Sequence, residues 1–160
     1  SWIDTSTLAT VKFSKSLREG RYNKQYNVAF DYDRMRAYSS EDTVDIETYM
    51  HDALSLFYYI RSLNLSVGDT IQMQSYDNDK VTAFNLRVVG EEKVKVPSGK
   101  YDCLIIEPYI EGDFLFKYEG NLRIWLSKDE LRLPVMMKSK ATLGSFILRL
   151  ANYIPPAESS

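Results

Sequence analysis

The chain is poor in the residues that most often carry chemistry. It has one cysteine, Cys103, and one histidine, His51, in 160 residues. A lone cysteine excludes an intrachain disulfide framework and decides nothing about redox compartment. One cysteine and one histidine leave a zinc site without its usual donors, so no metal and no cofactor are expected. Long apolar runs are also missing. Stretches such as Leu54 to Ile60 are far too short to span a bilayer, which excludes a transmembrane helix. Positive charge is not in excess, since Lys and Arg number 20 against 22 Asp and Glu, a formal net charge of -2. The basic residues are dispersed, as in Lys12, Lys15 and Arg18, whereas a nucleic-acid surface needs them clustered. There is no signal peptide, internal repeat, low-complexity tract or interdomain linker within the chain.

What is plentiful is tyrosine. Twelve tyrosines lift the aromatic share to 13%, and aromatic residues favour strands. The length suits one domain with a proper core, expected over residues 1–154 with a small polar tail at 155–160. Val11, Phe13 and Leu17 alternate with Lys12, Ser14, Ser16 and Arg18, and Tyr26, Val28, Phe30 and Tyr32 repeat the pattern beyond Glu19-Gly20. Period-two alternation marks strands with one buried face. Further strands are expected over 35–38, 70–76, 80–90, 91–96, 101–109, 121–126, 135–142 and 145–153, with Asp77-Asn78-Asp79 and Pro97-Ser98-Gly99 as turns.

One segment has helical spacing instead. From Thr48 to Leu63, Met50, Ala53, Leu54, Phe57 and Ile60 follow i, i+3, i+4, i+7. Asp45 or Thr48 would cap its start, and Arg61 suits the dipole at its end. The expected class is α+β, mostly β: a curved antiparallel sheet, half-barrel or open barrel, with this helix packed on it. Its inward face should include Val88, Leu104, Ile106, Ile124 and Leu148. Because Ser1-Trp2-Ile3 starts at full strand-like character, earlier strands are expected upstream in the natural protein.

The motifs SWIDTSTLATVKFSKSLREGRY, DALSLFYYIRSL followed by VGD, VKVPSGKYDCLIIEP and LRIWLSKDELRLPV occur in this order. Together they resemble the exported bacterial proteins catalogued as domain of unknown function 3108, over nearly the whole chain. The resemblance implies an envelope protein, periplasmic or otherwise exported, whose signal peptide and first strands precede the SWID segment. It carries no activity. In general plan such a sheet is similar to lipocalin-like and lipoprotein-carrier domains, which is architectural analogy only.

Each cluster of reactive residue types has a structural role open to it as well as a chemical one. His51, Asp52 and Ser55 supply a base, an acid and a nucleophile, but they lie on one short stretch without a glycine-rich elbow. A polar helix start with a solvated histidine explains them better. Asp77-Asn78-Asp79 lacks the later glycine and glutamate of a calcium loop, and Asp31 and Asp33 read likewise as turn residues. Asp129 and Glu130 are adjacent at a strand turn and point apart, with Arg132 balancing their charge. Cys103 sits among apolar neighbours, as a small hydrophobe does. No catalytic residue is assigned, and the chain is expected not to be an enzyme.

The aromatic residues offer the remaining functional reading. Tyr49, Tyr58, Tyr59, Tyr101, Tyr109, Tyr118 and Tyr153, with several phenylalanines, would either line an apolar cavity or pack as ordinary strand residues. The candidate ligand contacts are Tyr58, Tyr59, Phe114 and Phe116, the last two in an apolar segment between Gly112 and Gly120. The expected ligand is a lipid or other apolar molecule such as an acyl chain. The alternative is a structural or interaction domain docking an envelope protein partner, and a third class is an envelope hydrolase.

Overall fold

The computed structural model describes residues 1–20, 22–77, 80–109, 122–141 and 144–155. Its elements are β1 (Trp2–Ile3), β2 (Thr10–Glu19), β3 (Tyr22–Asp31), β4 (Arg36–Ser39), β5 (Thr43–Asp45), α1 (Ala53–Ser62), β6 (Thr70–Asp77), β7 (Lys80–Val96), β8 (Gly99–Tyr109), β9 (Leu122–Ser127), β10 (Pro134–Ala141) and β11 (Gly144–Arg149). The expected mostly-β, antiparallel class with a helix is what the chain adopts. The strands fall into two open sheets, ordered β1-β2-β3-β4-β5 and β11-β10-β9-β8-β7-β6. The ladder of the first sheet stops at β5, where the chain turns away. The Ile46 amide donates to the Met35 carbonyl and the Thr10 amide to the Met50 carbonyl, each at 2.9 Å, which leads the chain into the helix.

By their contacts the residues form two compact units, Ser1–Leu63 with Gln72–Phe84, and Asn64–Ile71 with Asn85–Ser160. In the first, the alternation of β2 and β3 does what the sequence predicts. Phe13 pairs with Val28, and both are buried with Phe30, Ala37, Ile46, Met50 and Tyr76. Phe30 organises this core, with its ring 6.2 Å from Phe13 and edge-on to Tyr76 at 5.5 Å. Such tilted and edge-on ring pairs add about 0.5–1.5 kcal/mol each beyond burial.

The helix is shorter than its spacing suggests. It begins after Asp52, whose carboxylate accepts from the Leu54 and Ser55 amides at 2.9 and 2.8 Å. The Ser55 hydroxyl accepts in return from the Asp52 amide at 3.0 Å, completing a capping box with serine at its third position. Neither expected cap acts: Asp45 takes an ion pair from Arg36 at 3.0 Å, and Thr48 lies outside the helix. Met50 is fully buried, so its apolar character mimics helical periodicity while its backbone serves the approach to the helix.

The second unit is built on β7, β8 and β9. On one face Val94, Cys103 and Trp125 are buried with Val96, Leu133 and Val135. On the other face Leu86, Val88, Leu104, Ile106, Ile124 and Leu126 are buried, which bears out four of the five expected inward residues. Leu148 is the exception. It lies on the edge strand β11, all six residues of which are exposed, and is itself 64% accessible. No helix of the described residues is long and apolar enough to cross a membrane.

Candidate functional site

A pocket of about 590 Å³ opens in the second unit, lined by Val67, Gly68, Val88, Val89 and three charged residues, Arg87, Glu107 and Arg123. Its volume falls in the range of small-molecule sites, about 300–1,000 Å³. Register places the charges. Arg87 on β7 pairs directly with Glu107 on β8, and Ile106 pairs with Ile124, so Arg123 stands beside Glu107 on the far side. Three neighbouring strands thus present Arg, Glu and Arg in a row. These positions continue the face that carries Cys103 and Trp125, so the apolar core gives way to an ionic ladder at its end.

Glu107 is buried and held from both sides. The Arg123 Nε–H donates to its Oε1 in a short contact, and Arg87 Nη2 lies 3.7 Å from its Oε2. The Arg87 guanidinium also sits 5.2 Å over the Tyr109 ring, a cation–π contact that fixes it. Among the described residues Arg87 Nε is buried without a hydrogen-bond partner. A buried donor left unpaired costs free energy that a ligand acceptor recovers. Around the ladder, β7 carries a bulge between Val88 and Gly90, which inserts Val89 at the pocket wall. A further wall is the turn at Ser66–Asp69, where the Asp69 carboxylate accepts from the Ser66 amide at 2.8 Å and Gly68 has φ +98°. The Gly68 amide donates to the Val88 carbonyl at 2.9 Å, tying that turn to β7.

The residues singled out from sequence lie elsewhere. In the first unit Tyr58 is 53% exposed, with the Arg61 guanidinium 5.8 Å from its ring. Tyr59 packs its ring 4.5 Å from that of His51. Phe114 and Phe116 are outside the described residues, as are Tyr118, Asn78 and Asp79. His51 is not solvated as expected but buried, and burial pushes its imidazole pKa down. Ser55 faces Thr10, their hydroxyls 2.7 Å apart, with His51 Nδ1 at 3.4 Å. Asp52 is meanwhile committed to the helix cap. Asp129 accepts from the Ser127 hydroxyl at 2.7 Å and the Arg132 amide at 3.2 Å, which makes it a turn builder. The Arg132 guanidinium reaches Asn64 Oδ1 at 3.5 Å rather than balancing that carboxylate. Among the described residues no group of three or more His, Cys, Asp or Glu gathers as metal ligands.

The ionic ladder escaped the sequence because it needs register: one residue from each of three strands. Its visible signal was Glu107, a lone acid inside the apolar run Leu104 to Pro108. An acid inside a central strand requires a partner on a neighbour.

The chain is thus mostly β, with two antiparallel sheets and one helix, and its second unit carries a cationic, partly apolar pocket. Residues 1–151 match the family described as Protein of unknown function (DUF3108), and the chain belongs to it. Searches of the curated proteins and of the solved structures find no match.

Proposed function

We propose that this chain is an exported cell-envelope domain that acts by binding an apolar ligand, an acyl chain, and not by catalysis. The observation that carries this is the pocket itself, with Val67 and Val89 standing 52% and 36% exposed beside it. Exposed valines at a concave site are a surface that water solvates poorly. Each methylene transferred from water contributes roughly 0.8 kcal/mol, so a chain of about a dozen carbons offers several kcal/mol towards association. On the first unit, taken by itself, Tyr58 with Leu54 one turn before it forms an exposed apolar strip, 53% and 59% accessible, and Tyr58 and Tyr59 are assigned to apolar contact from sequence. Phe114 and Phe116 are assigned to the same role from sequence. Export rests on the family resemblance.

The test is native mass spectrometry of the full mature protein purified from its own envelope fraction. The expected spectrum contains an adduct that tandem fragmentation identifies as an acyl lipid. A single clean mass, or a protein found wholly in the cytoplasmic fraction, defeats the proposal.

A second reading has its own observation. β11 is an edge strand with Phe146 and Leu148 at 69% and 64% exposure, the kind of edge to which a partner adds a strand. If the domain docks an envelope protein there, replacing both residues by serine abolishes complementation of a deletion strain while leaving the purified fold unchanged.

A further inference from the structure

We propose that the pocket selects amphiphiles by their acidic end, with Arg87 and Arg123 binding a carboxylate or phosphate monoester and the valines holding the chain behind it. This rests on the acyl-chain reading above and adds what the head group must be. The lining residues carry two guanidiniums and one carboxylate, and Val67, Gly68, Val88 and Val89 bring no charge. Among the lining residues one positive charge is therefore uncompensated. Both oxygens of Glu107 already face guanidiniums, so a cation entering the pocket finds no free acceptor there and is repelled by two arginines.

The arginine side chains, by contrast, remain partly open to solvent. Among the described residues the protein partner of Arg123 is Glu107 through Nε, which leaves its terminal NH₂ groups for a ligand. Among the described residues Arg87 meets Glu107 only through Nη2, at 3.7 Å, and its buried Nε has no acceptor. An acid group set between the two guanidiniums receives charge-assisted hydrogen bonds of the geometry arginine makes best. Glu107 is then the orienting group: it stands buried on the interior strand β8 and holds Arg123 directly before any ligand arrives, while the Tyr109 ring seats Arg87. Side chains fixed on strands lose little freedom when they bind. The two arginine side chains remain 39% and 47% accessible, so an anion can reach them from solvent.

Titration calorimetry of the full chain with dodecanoate, dodecyl phosphate and dodecanol tests this. The two anions are expected to bind at least tenfold tighter than the alcohol, with an affinity that falls as salt rises. Arg123→Gln and Arg87→Gln each remove tenfold or more of the anion affinity and lower the affinity for dodecanol by a much smaller factor. Should either variant fail to fold, Val67→Glu places a carboxylate at the exposed rim without touching the ladder, and it weakens both anions selectively. Dodecanol binding as tightly as the anions, or anion affinity insensitive to all three substitutions, overturns the acidic-head proposal and leaves acyl-chain binding standing. No binding by any of the three probes overturns both.

Discussion

Thr10 Oγ1 and Ser55 Oγ lie 2.7 Å apart in a buried contact that joins the start of β2 to the first turn of α1. Each hydroxyl also accepts from the Asp52 amide, at 2.9 and 3.0 Å. The helix of the first unit is therefore fastened to its sheet by three polar groups that no solvent reaches freely. Ser55→Ala leaves Thr10 short of one partner, and the expected loss is about 1–3 kcal/mol of unfolding free energy. A double-mutant cycle with Thr10→Val should give a coupling of about 0.5–3 kcal/mol by urea unfolding. Additive effects of the two substitutions would show that the contact contributes nothing.

The cap offers a sharper comparison. Asp52→Ala removes an acceptor for two helix amides and should cost about 1 kcal/mol, with Asp52→Ser largely restoring it. Thr48→Ala, at the cap position that spacing suggests, should change urea stability by less than about 0.5 kcal/mol. Equal losses at the two sites would contradict a helix that starts at Ala53.

Those two sites show what periodicity could and could not reveal. Strands β2, β3, β8 and β9 were legible because alternation or a continuous apolar run follows directly from which faces are buried. In sequence β7 reads as two strands, since the bulge after Val88 shifts the parity of the residues beyond it. β5 is three residues long, too short to show a period. Met50 misled the helix boundary because burial, not helical geometry, sets its character. Leu148 looked like a core residue because apolar content in an edge strand is indistinguishable by sequence from that in a central one. The Arg87–Glu107–Arg123 ladder depends on pairing between strands, which no local pattern encodes.

His51 gives a pH prediction. Its folded pKa is lowered from 6.5, chiefly by burial, against smaller opposing effects of Asp52 and the Leu8 backbone. Below 6.5 the unfolded chain binds a proton that the folded chain resists, so stability falls as pH drops through that value towards the folded pKa. Above 6.5 the contribution is complete and flat. As this is the one histidine in the chain, its imidazole resonance titrates without overlap. The expected midpoint lies below 6.5, and His51→Phe should flatten the stability profile in the same range. A midpoint at or above 6.5 would contradict the burial.

Cys103 should be inert in the native state. It is fully buried, its thiol donates weakly to the Tyr101 carbonyl at 3.7 Å, and burial with nearby acids pushes its pKa up to about 11. The thiolate that reacts with disulfide reagents is scarce at neutral pH under those conditions. Labelling by an aromatic disulfide at pH 8 is expected to proceed at the rate of global unfolding and to accelerate with urea. Fast labelling of the folded protein would show that the second core opens locally.

Glu107 poses a test of how far the ladder is structural. Removing one member of a wholly buried ion pair costs about 3–5 kcal/mol, because the charge left behind is stranded. Here the two arginines keep 39% and 47% of their side-chain surface, so both can turn to water once the carboxylate is gone. Glu107→Gln should therefore destabilise by only about 1–2 kcal/mol, between that limit and the small effect of exposed pairs. The glutamine keeps an acceptor for Arg123 and roughly the same volume in a buried position on β8. Added salt should recover part of the loss, since it screens the repulsion between the two guanidiniums. Urea unfolding of wild type and variant at low and high salt measures both quantities. A loss near the buried-pair limit that salt leaves unchanged would mean that the arginines are locked against the strands and cannot reach solvent.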